Sequence, residues 1–365
     1  MNQIYNFSAG PAMLPKEVLI KAKKEFCDWN GMGVSIMEIS HRSEAFIEVV
    51  KQAEENLREL LKIPDNYKIL FCHGGARGQF AALPLNLFNP NETVDYVISG
   101  YWSKSAAHEA LKYCIVNKIN ILIEKSEHLS VQPINQWSLT NNSKYIHYCP
   151  NETIDGIAIN SLPNFSNNKI VLADYSSAIL SAPLDVNRFG VIYAGTQKNI
   201  GPSGITLVII RNDLLYCEKA NRKIIPSILN YNILDKNHSM YNTPSTFAWY
   251  LSGMVFKWLK KQGGLLEMKK RNQEKSKLLY DTIDNSSLYI NKINPINRSS
   301  INIPFKIKKS NLDKIFIKSA EQKGLLFLKG HHSTGGLRAS IYNAMPIDGV
   351  KKLINFMKDF EYQNK

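Results

Sequence analysis

Residues 194–204 read AGTQKNIGPSG, a stretch with a single lysine, Lys198, and almost no other chemically active side chain. It continues the apolar run VIYA (191–194) and opens into a glycine-rich turn. A lysine that ends a buried strand sits where charge is costly, and desolvation lowers its pKa and frees the amine to act as a nucleophile. A surface lysine at a strand end has the same spacing, so the rest of the chain must decide. The glycines after Lys198 are expected to form a tight turn and to leave the amine room to swing.

Working outward from that turn, short β-rich runs alternate with helical patterns. YKILF (67–71), DYVIS (95–99), NILIE (120–124), KYIHYC (144–149), KIVLA (169–173), VIYA (191–194) and GITLVII (204–210) read as strands. Between them, residues 43–63 place Phe46, Val49, Val50, Ala53, Leu57 and Leu60 at helical spacing, with Ser43 as the cap. QFAALPLNL (79–87) and SKSAAHEALKYC (103–114) read as further helices. This alternation predicts an α/β fold with a mainly parallel sheet covered by helices on both faces. Ligands of such sheets gather at the carboxyl ends of the strands. CHGGARG (72–78), SGYW (99–102), ADYSS (173–177) and GTQKN (195–199) all follow strands and are expected to meet at one edge. After the amphipathic segment 246–264 the pattern changes to a small α+β unit with a boundary near Gly263–Gly264. The expected division is an N-terminal segment 1–16 near the active site, a large domain 17–262 and a small domain 263–365.

Composition narrows the class. The 365-residue chain is 44% hydrophobic and 21% charged, as in soluble globular proteins. No apolar run approaches a membrane span. The first residues lack the charged start and apolar core of a secretory signal. Cys27, Cys72, Cys114, Cys149 and Cys217 are scattered without a CxxC pair, which argues for reduced thiols and against structural zinc. A cytoplasmic protein is expected. The net charge of +14 raises the rival reading of a nucleic-acid binder. Yet the lysines are spread out, no nucleic-acid module is recognisable, and the densest cluster, MKKRNQEKSK (268–277), reads as a solvated helix face. Anionic small substrates suit the same charge.

Asp174 and Lys198, at neighbouring strand ends, make either a buried salt bridge or the acid and lysine that pyridoxal phosphate requires. Such an acid keeps the ring nitrogen protonated so that the ring accepts electrons. The glycine turn HGGARG, opening a helix, suits the cofactor's phosphate. Trp102 is placed to stack on its ring. A salt bridge alone explains two of these four features.

FSAGPAMLP (7–15), HGGARGQF (73–80), HYCPNETIDGI (147–157), GTQKNIGPSG (195–204), NTPSTFAWYLSG (242–253) and GLRASIYNAMP (336–346) together resemble the phosphoserine aminotransferase family, in order and without large gaps. The resemblance implies the aspartate-aminotransferase-like fold (pyridoxal-phosphate fold type I), with a seven-stranded sheet in the large domain. It implies pyridoxal 5′-phosphate and a homodimer with shared sites, with neither nucleic acid nor membrane as partner. The implied reaction joins glutamate and 3-phosphohydroxypyruvate to phosphoserine and 2-oxoglutarate, with a second activity on a phosphorylated hydroxythreonine precursor of vitamin B6. Lys198 is then the Schiff-base lysine and general acid–base, Asp174 the partner of the ring nitrogen, and Trp102 the ring cover. Thr153 contacts the cofactor, Ala76, Arg77 and Gln197 line its phosphate, and Asn242 and Thr243 reach that of the neighbouring subunit. Arg42 and His41 bind a substrate anion, and Arg338 binds the α-carboxylate. In the family the pair at His331 and His332 reaches the substrate phosphate across the dimer; here His332 either does so or points away and leaves the phosphate to His41 and Arg42. His332 departs from the bacterial family pattern, which has arginine there. Another enzyme of the same fold, an alanine–glyoxylate type aminotransferase or a cysteine desulfurase, remains the nearest alternative. None of the five cysteines lies in an obviously glycine-rich loop of the kind a desulfurase needs. A binding protein without catalysis is the rival of a different class.

Overall fold

In a computed structural model of the chain, which describes residues 3–125, 127–162, 165, 169–216 and 224–364, seven strands stand side by side. Their order is Tyr67–Cys72, Thr206–Arg211, Val191–Gly195, Ile170–Asp174, Tyr145–Tyr148, Thr93–Ile98 and Ile115–Asn120. Thr206–Arg211 runs antiparallel to both its neighbours, and the other pairings are parallel. The expected mainly parallel sheet is therefore present.

Period-two alternation explains why both faces are covered. Leu207 and Ile209 enter one apolar cluster, whereas Val208 and Ile210 enter the other. The helices Glu44–Leu61 and Thr246–Lys261 close the first face, and Gly75–Leu87 and Tyr101–Ala110 close the second. Ser43 does cap its helix, accepting the Phe46 N–H at 3.3 Å. The helices Gly75–Leu87 and Tyr101–Ala110 both begin earlier than their apolar periodicity indicates. Their first turns, GARG and YWSK, follow closely on the strands Tyr67–Cys72 and Thr93–Ile98.

One strand lies elsewhere than expected. NILIE does not form the seventh strand: Ile115–Asn120 takes the sheet edge, and Leu122–Lys125 pairs with His128–Val131 in a separate hairpin. An edge strand packs on one neighbour only, so IVNKIN retains polar residues and carries a weak apolar signal.

Beyond the sheet, the strands Tyr289–Ile290, Asn302–Ile307 and Leu337–Ser340 form a small antiparallel sheet. Their apolar cluster includes Phe316, Leu353 and Met357 from the helices Asp313–Gln322 and Ile347–Gln363. Tyr5 and Phe7 belong to this same cluster, and Tyr5–Asn6 pairs with Leu325–Leu326. The helix Gly264–Asp284 spans both bodies: Leu265 and Met268 join the large core, and Leu279 and Ile283 the small one.

That helix also corrects the reading of 268–277 as a solvated face. Asn272, Lys275 and Ser276 are buried. Lys275 Nζ donates to the carbonyls of Ile341 (3.1 Å), Tyr342 (2.8 Å) and Met345 (3.0 Å). Burial pushes its pKa down to about 7. A lysine rich in donors is tolerable there because the turn after Leu337–Ser340 aims three carbonyls at it. Cys27 is exposed, while Cys72, Cys114 and Cys149 are buried. Cys217 lies outside the described residues. Among the described residues, no helix is long and apolar enough to cross a membrane, and no cluster of His, Cys, Asp and Glu suits a metal.

Replacing Lys275 by alanine removes a donor from three inward carbonyls, of which that of Tyr342 keeps the Met345 N–H at 3.0 Å. We expect the variant to lose about 3 kcal/mol of unfolding free energy. The midpoint of a denaturant titration reads this directly.

Candidate active site

Lys198 is 9% exposed, and its Nζ donates to Thr153 Oγ1 at 2.7 Å. Burial holds the amine below the ordinary lysine range, while Asp174, Cys149 and Glu152 pull it back up. Asp174, at the end of Ile170–Asp174, is buried too and accepts the Ser176 N–H at 2.9 Å. Burial raises its pKa against the opposing charge of Lys198. Each ion is thus disfavoured by the interior and favoured by the other.

The turn around Lys198 is tied down on every side. The Gly195 N–H donates to Ser176 Oγ at 3.0 Å, and the Thr196 hydroxyl lies 2.6 Å from the Pro202 carbonyl. Asn199 donates to the Ile179 carbonyl at 3.0 Å and accepts the Asn343 N–H at 3.1 Å. The glycines do not serve as swinging room for the amine. A Cβ on Gly201 would stand 2.6 Å from Ser252 Oγ. Gly204, at φ +122°, would meet Ser245 Oγ at 3.0 Å. Their bareness lets the helix Thr246–Lys261 press against the turn. The N-terminal segment covers another side, with the Ala12 N–H donating to the Gln197 carbonyl at 2.9 Å. A Cβ on Gly10 would lie 3.4 Å from Gln197 Cγ and 3.7 Å from Lys198 Cγ.

Two basic side chains approach the Trp102 ring, with Lys198 Nζ 5.9 Å and Arg77 Cζ 5.4 Å from its centre. Ala76 and Arg77 lie in the first turn of Gly75–Leu87, after Gly74 at φ +91°. The first bond of that turn runs from the Gly78 N–H to the Gly74 carbonyl at 3.0 Å. The N–H groups of Gly75, Ala76 and Arg77 precede it and stand at the positive end of the helix. Arg338 Nη1 donates to the Thr153 carbonyl at 3.3 Å. The structure therefore brings Lys198, Asp174, Thr153, Trp102, Arg77 and Arg338 into one neighbourhood.

The remaining residues are less closely joined to it. His331 packs 5.5 Å from the Tyr101 ring and 4.0 Å from the His332 ring, and His332 is exposed. His41 is half-buried and Arg42 exposed, just before the cap of Glu44–Leu61. Asn242 and Thr243 are exposed, and Asn242 Nδ2 lies 3.3 Å from His73 Nε2.

Sequence reasoning passed over Glu152 and Asp155. Both lie in PNETIDG, where only Thr153 drew notice, and they bind the start of Tyr101–Ala110. Two acids three residues apart were visible, but nothing in the sequence ties them to a helix fifty positions earlier.

Among the described residues, Trp102 Nε1 and His41 Nε2 are buried without a hydrogen-bond partner, as are Arg58 Nη1, His147 Nδ1 and Trp249 Nε1 elsewhere in the fold. Together with a desolvated lysine, a buried acid and a helix start rich in free N–H groups, the Trp102 site fits pyridoxal phosphate. The comparisons agree. The family model for class-V aminotransferases matches residues 4–353, and the chain belongs to that family. It is a pyridoxal-phosphate-dependent aminotransferase of fold type I.

Within that class it is similar end to end to phosphoserine aminotransferases. One, solved for radiation damage of its Schiff base, is 42% identical with a TM-score of 0.93, and the match covers 100% of each chain. That of Bacillus circulans subsp. alkalophilus is 40% identical over 100% of this chain and 99% of its own, with a TM-score of 0.93. The pyridoxal-phosphate-bound enzyme of Trichomonas vaginalis is 39% identical over 98% of this chain and 100% of its own, with a TM-score of 0.90.

Because burial dominates at Lys198, its amine in the cofactor-free protein should label at lower pH than the exposed lysines do. Competitive acetylation followed residue by residue by mass spectrometry gives the profile. Asp174→Asn, which removes a stabilising negative charge, should move the Lys198 midpoint lower still.

Proposed function

We propose that the chain is a phosphoserine aminotransferase that moves an amino group from glutamate to 3-phosphohydroxypyruvate, giving O-phosphoserine and 2-oxoglutarate for serine biosynthesis. We further propose activity on the phosphorylated hydroxythreonine precursor of vitamin B6. The observation that carries the reading is the 39–42% identity to phosphoserine aminotransferases along essentially the whole chain. The basic groups around a desolvated lysine support it chemically.

When bound, pyridoxal phosphate supplies an electron sink for the bonds at the substrate's Cα. Lys198 would anchor it covalently until the substrate amine arrives. Lys198 Nζ, steadied by the Thr153 hydroxyl, would hold and move a proton at the substrate's Cα as a general acid–base. Asp174 would face the ring nitrogen and hold its proton, and Trp102 would cover the ring. The N–H groups at Ala76 and Arg77, with Gln197, would hold the phosphate. Asn242 and Thr243 would serve the cofactor of a second copy of the chain, making the enzyme a homodimer. Arg338 presents a planar fork suited to the α-carboxylate. His41, Arg42, His331 and His332 would bind the distal anion.

Lys198→Ala should retain pyridoxal phosphate non-covalently yet lose transamination by at least ~10²–10⁴-fold, the usual span for a positioned acid–base group. Asp174→Asn should lower kcat far more than cofactor occupancy, because an amide keeps the contacts and loses the charge. Steady-state turnover set beside absorbance-based occupancy separates the two effects. The substrate class is tested by donor choice: phosphoserine should far exceed serine in kcat/KM, and equal values for the two donors would overturn the reading.

His332→Arg should lower KM for phosphoserine at pH 8, since a guanidinium stays charged there. Unchanged KM would place His332 outside the phosphate site.

A further inference from the structure

The first turn of Tyr101–Ala110 is held from outside by two acids. Its first three N–H groups have no partner within the helix, as at any helix start. Here Tyr101 N–H donates to Asp155 Oδ2 at 3.0 Å, Trp102 N–H to Glu152 Oε2 at 2.9 Å, and Ser103 N–H to Glu152 Oε1 at 2.9 Å. The Ser103 hydroxyl donates to Glu152 Oε1 at 2.6 Å while accepting the Ser99 N–H at 2.9 Å and the Gly100 N–H at 3.1 Å. A Cβ on Gly100 would come within 2.5 Å of Asp155 Oδ2 and 2.6 Å of Glu152 Cγ. Both acids therefore rest on a bare Cα.

Glu152 is fully buried, and burial drives its pKa up to about 7 against the pull of the Ser103 donors. A carboxylate in that position is costly to keep. Its two oxygens match two backbone N–H groups, and the helix dipole favours its charge. A glutamine would satisfy only one of them and would turn its NH₂ toward the other. On the far side along the chain, Glu152 adjoins Thr153, whose hydroxyl accepts from Lys198 and whose carbonyl accepts from Arg338.

We propose that Glu152 is a positioning residue of the active site, setting the Trp102 ring and the Thr153 hydroxyl about Lys198 through its bonds to the Trp102 and Ser103 N–H groups. It touches neither substrate nor cofactor. The proposal rests on the assignment of Lys198 and Trp102 to the cofactor site.

The test is a double-mutant cycle read on cofactor affinity, together with the pH profile of Lys198 labelling in cofactor-free protein. Glu152→Gln should weaken pyridoxal phosphate binding about tenfold, a size typical of coupled neighbours. In a Trp102→Ala background the same change should weaken it by less than about threefold, because the ring that Glu152 sets is gone. The Lys198 labelling midpoint should also fall when this negative charge is removed. Equal losses in both backgrounds with an unmoved midpoint would overturn the proposal, as would no loss at all. If Glu152→Gln does not fold, Ser103→Ala decides: it removes one bond to Glu152 and should show the same non-additive pattern at smaller size, and additive losses would overturn the proposal. Borohydride fixation of the cofactor in the unmutated protein keeps the two levels apart. Label on a lysine other than Lys198 would sink the site assignment itself, whereas an additive cycle with label on Lys198 sinks only the role of Glu152.

Discussion

Keeping the Lys198 amine out of water at the end of a central strand constrains everything around it. A lone ammonium in the interior is too costly to persist, so it must either lose its proton or find partners. Both occur: burial lowers its pKa, while the Thr153 hydroxyl and the charge of Asp174 hold it in place. The same burial that makes the amine expensive makes it reactive. The fold thus stores, at one nitrogen, the property that transamination requires.

Holding that nitrogen still draws on the whole chain. The strand that ends in Asp174 lies beside the one that leads into the Lys198 turn, so the two sites meet without any long-range search. Thr153 arrives from the loop after Tyr145–Tyr148, the next strand across the sheet. The N-terminal segment packs its Tyr5 and Phe7 into the small body while Gly10 and Ala12 lie on the lysine turn. Asn343, beyond the strand that carries Arg338, donates to Asn199 beside Lys198. The small body is therefore tied to the lysine turn by the Asn343 N–H, which donates to the Asn199 side chain.

Polar groups that look dispensable in the sequence carry much of this order. Lys275 lies within a basic run, yet it closes three carbonyls of the turn after Arg338. Glu152 and Asp155 terminate the helix that bears Trp102, in place of a conventional cap from its own preceding residue. In each case a charged side chain is admitted to the interior because backbone groups that would otherwise be unsatisfied are waiting for it.

The sequence by itself determined the sheet and the chemistry at its edge. Apolar runs of strand length, each followed by a polar or glycine turn, set a mainly parallel α/β fold, and the residues at those turns included the lysine, the acid and the tryptophan. Those signals are local, because a strand's periodicity and the turn that ends it are written in neighbouring residues. Tertiary structure alone decided what depends on distant partners. IVNKIN takes one edge of the sheet, where a single neighbouring strand leaves all but Ile119 at least partly open to water. Gly201 and Gly204 are bare because a helix some fifty residues later presses on them, not because the amine needs room. Lys275 is buried because three carbonyls some seventy residues away face it. Glu152 found its role because the start of another helix lay within reach. For these groups hydrogen-bond satisfaction is a property of the assembled interior, and no short window of sequence contains both the group and its partner.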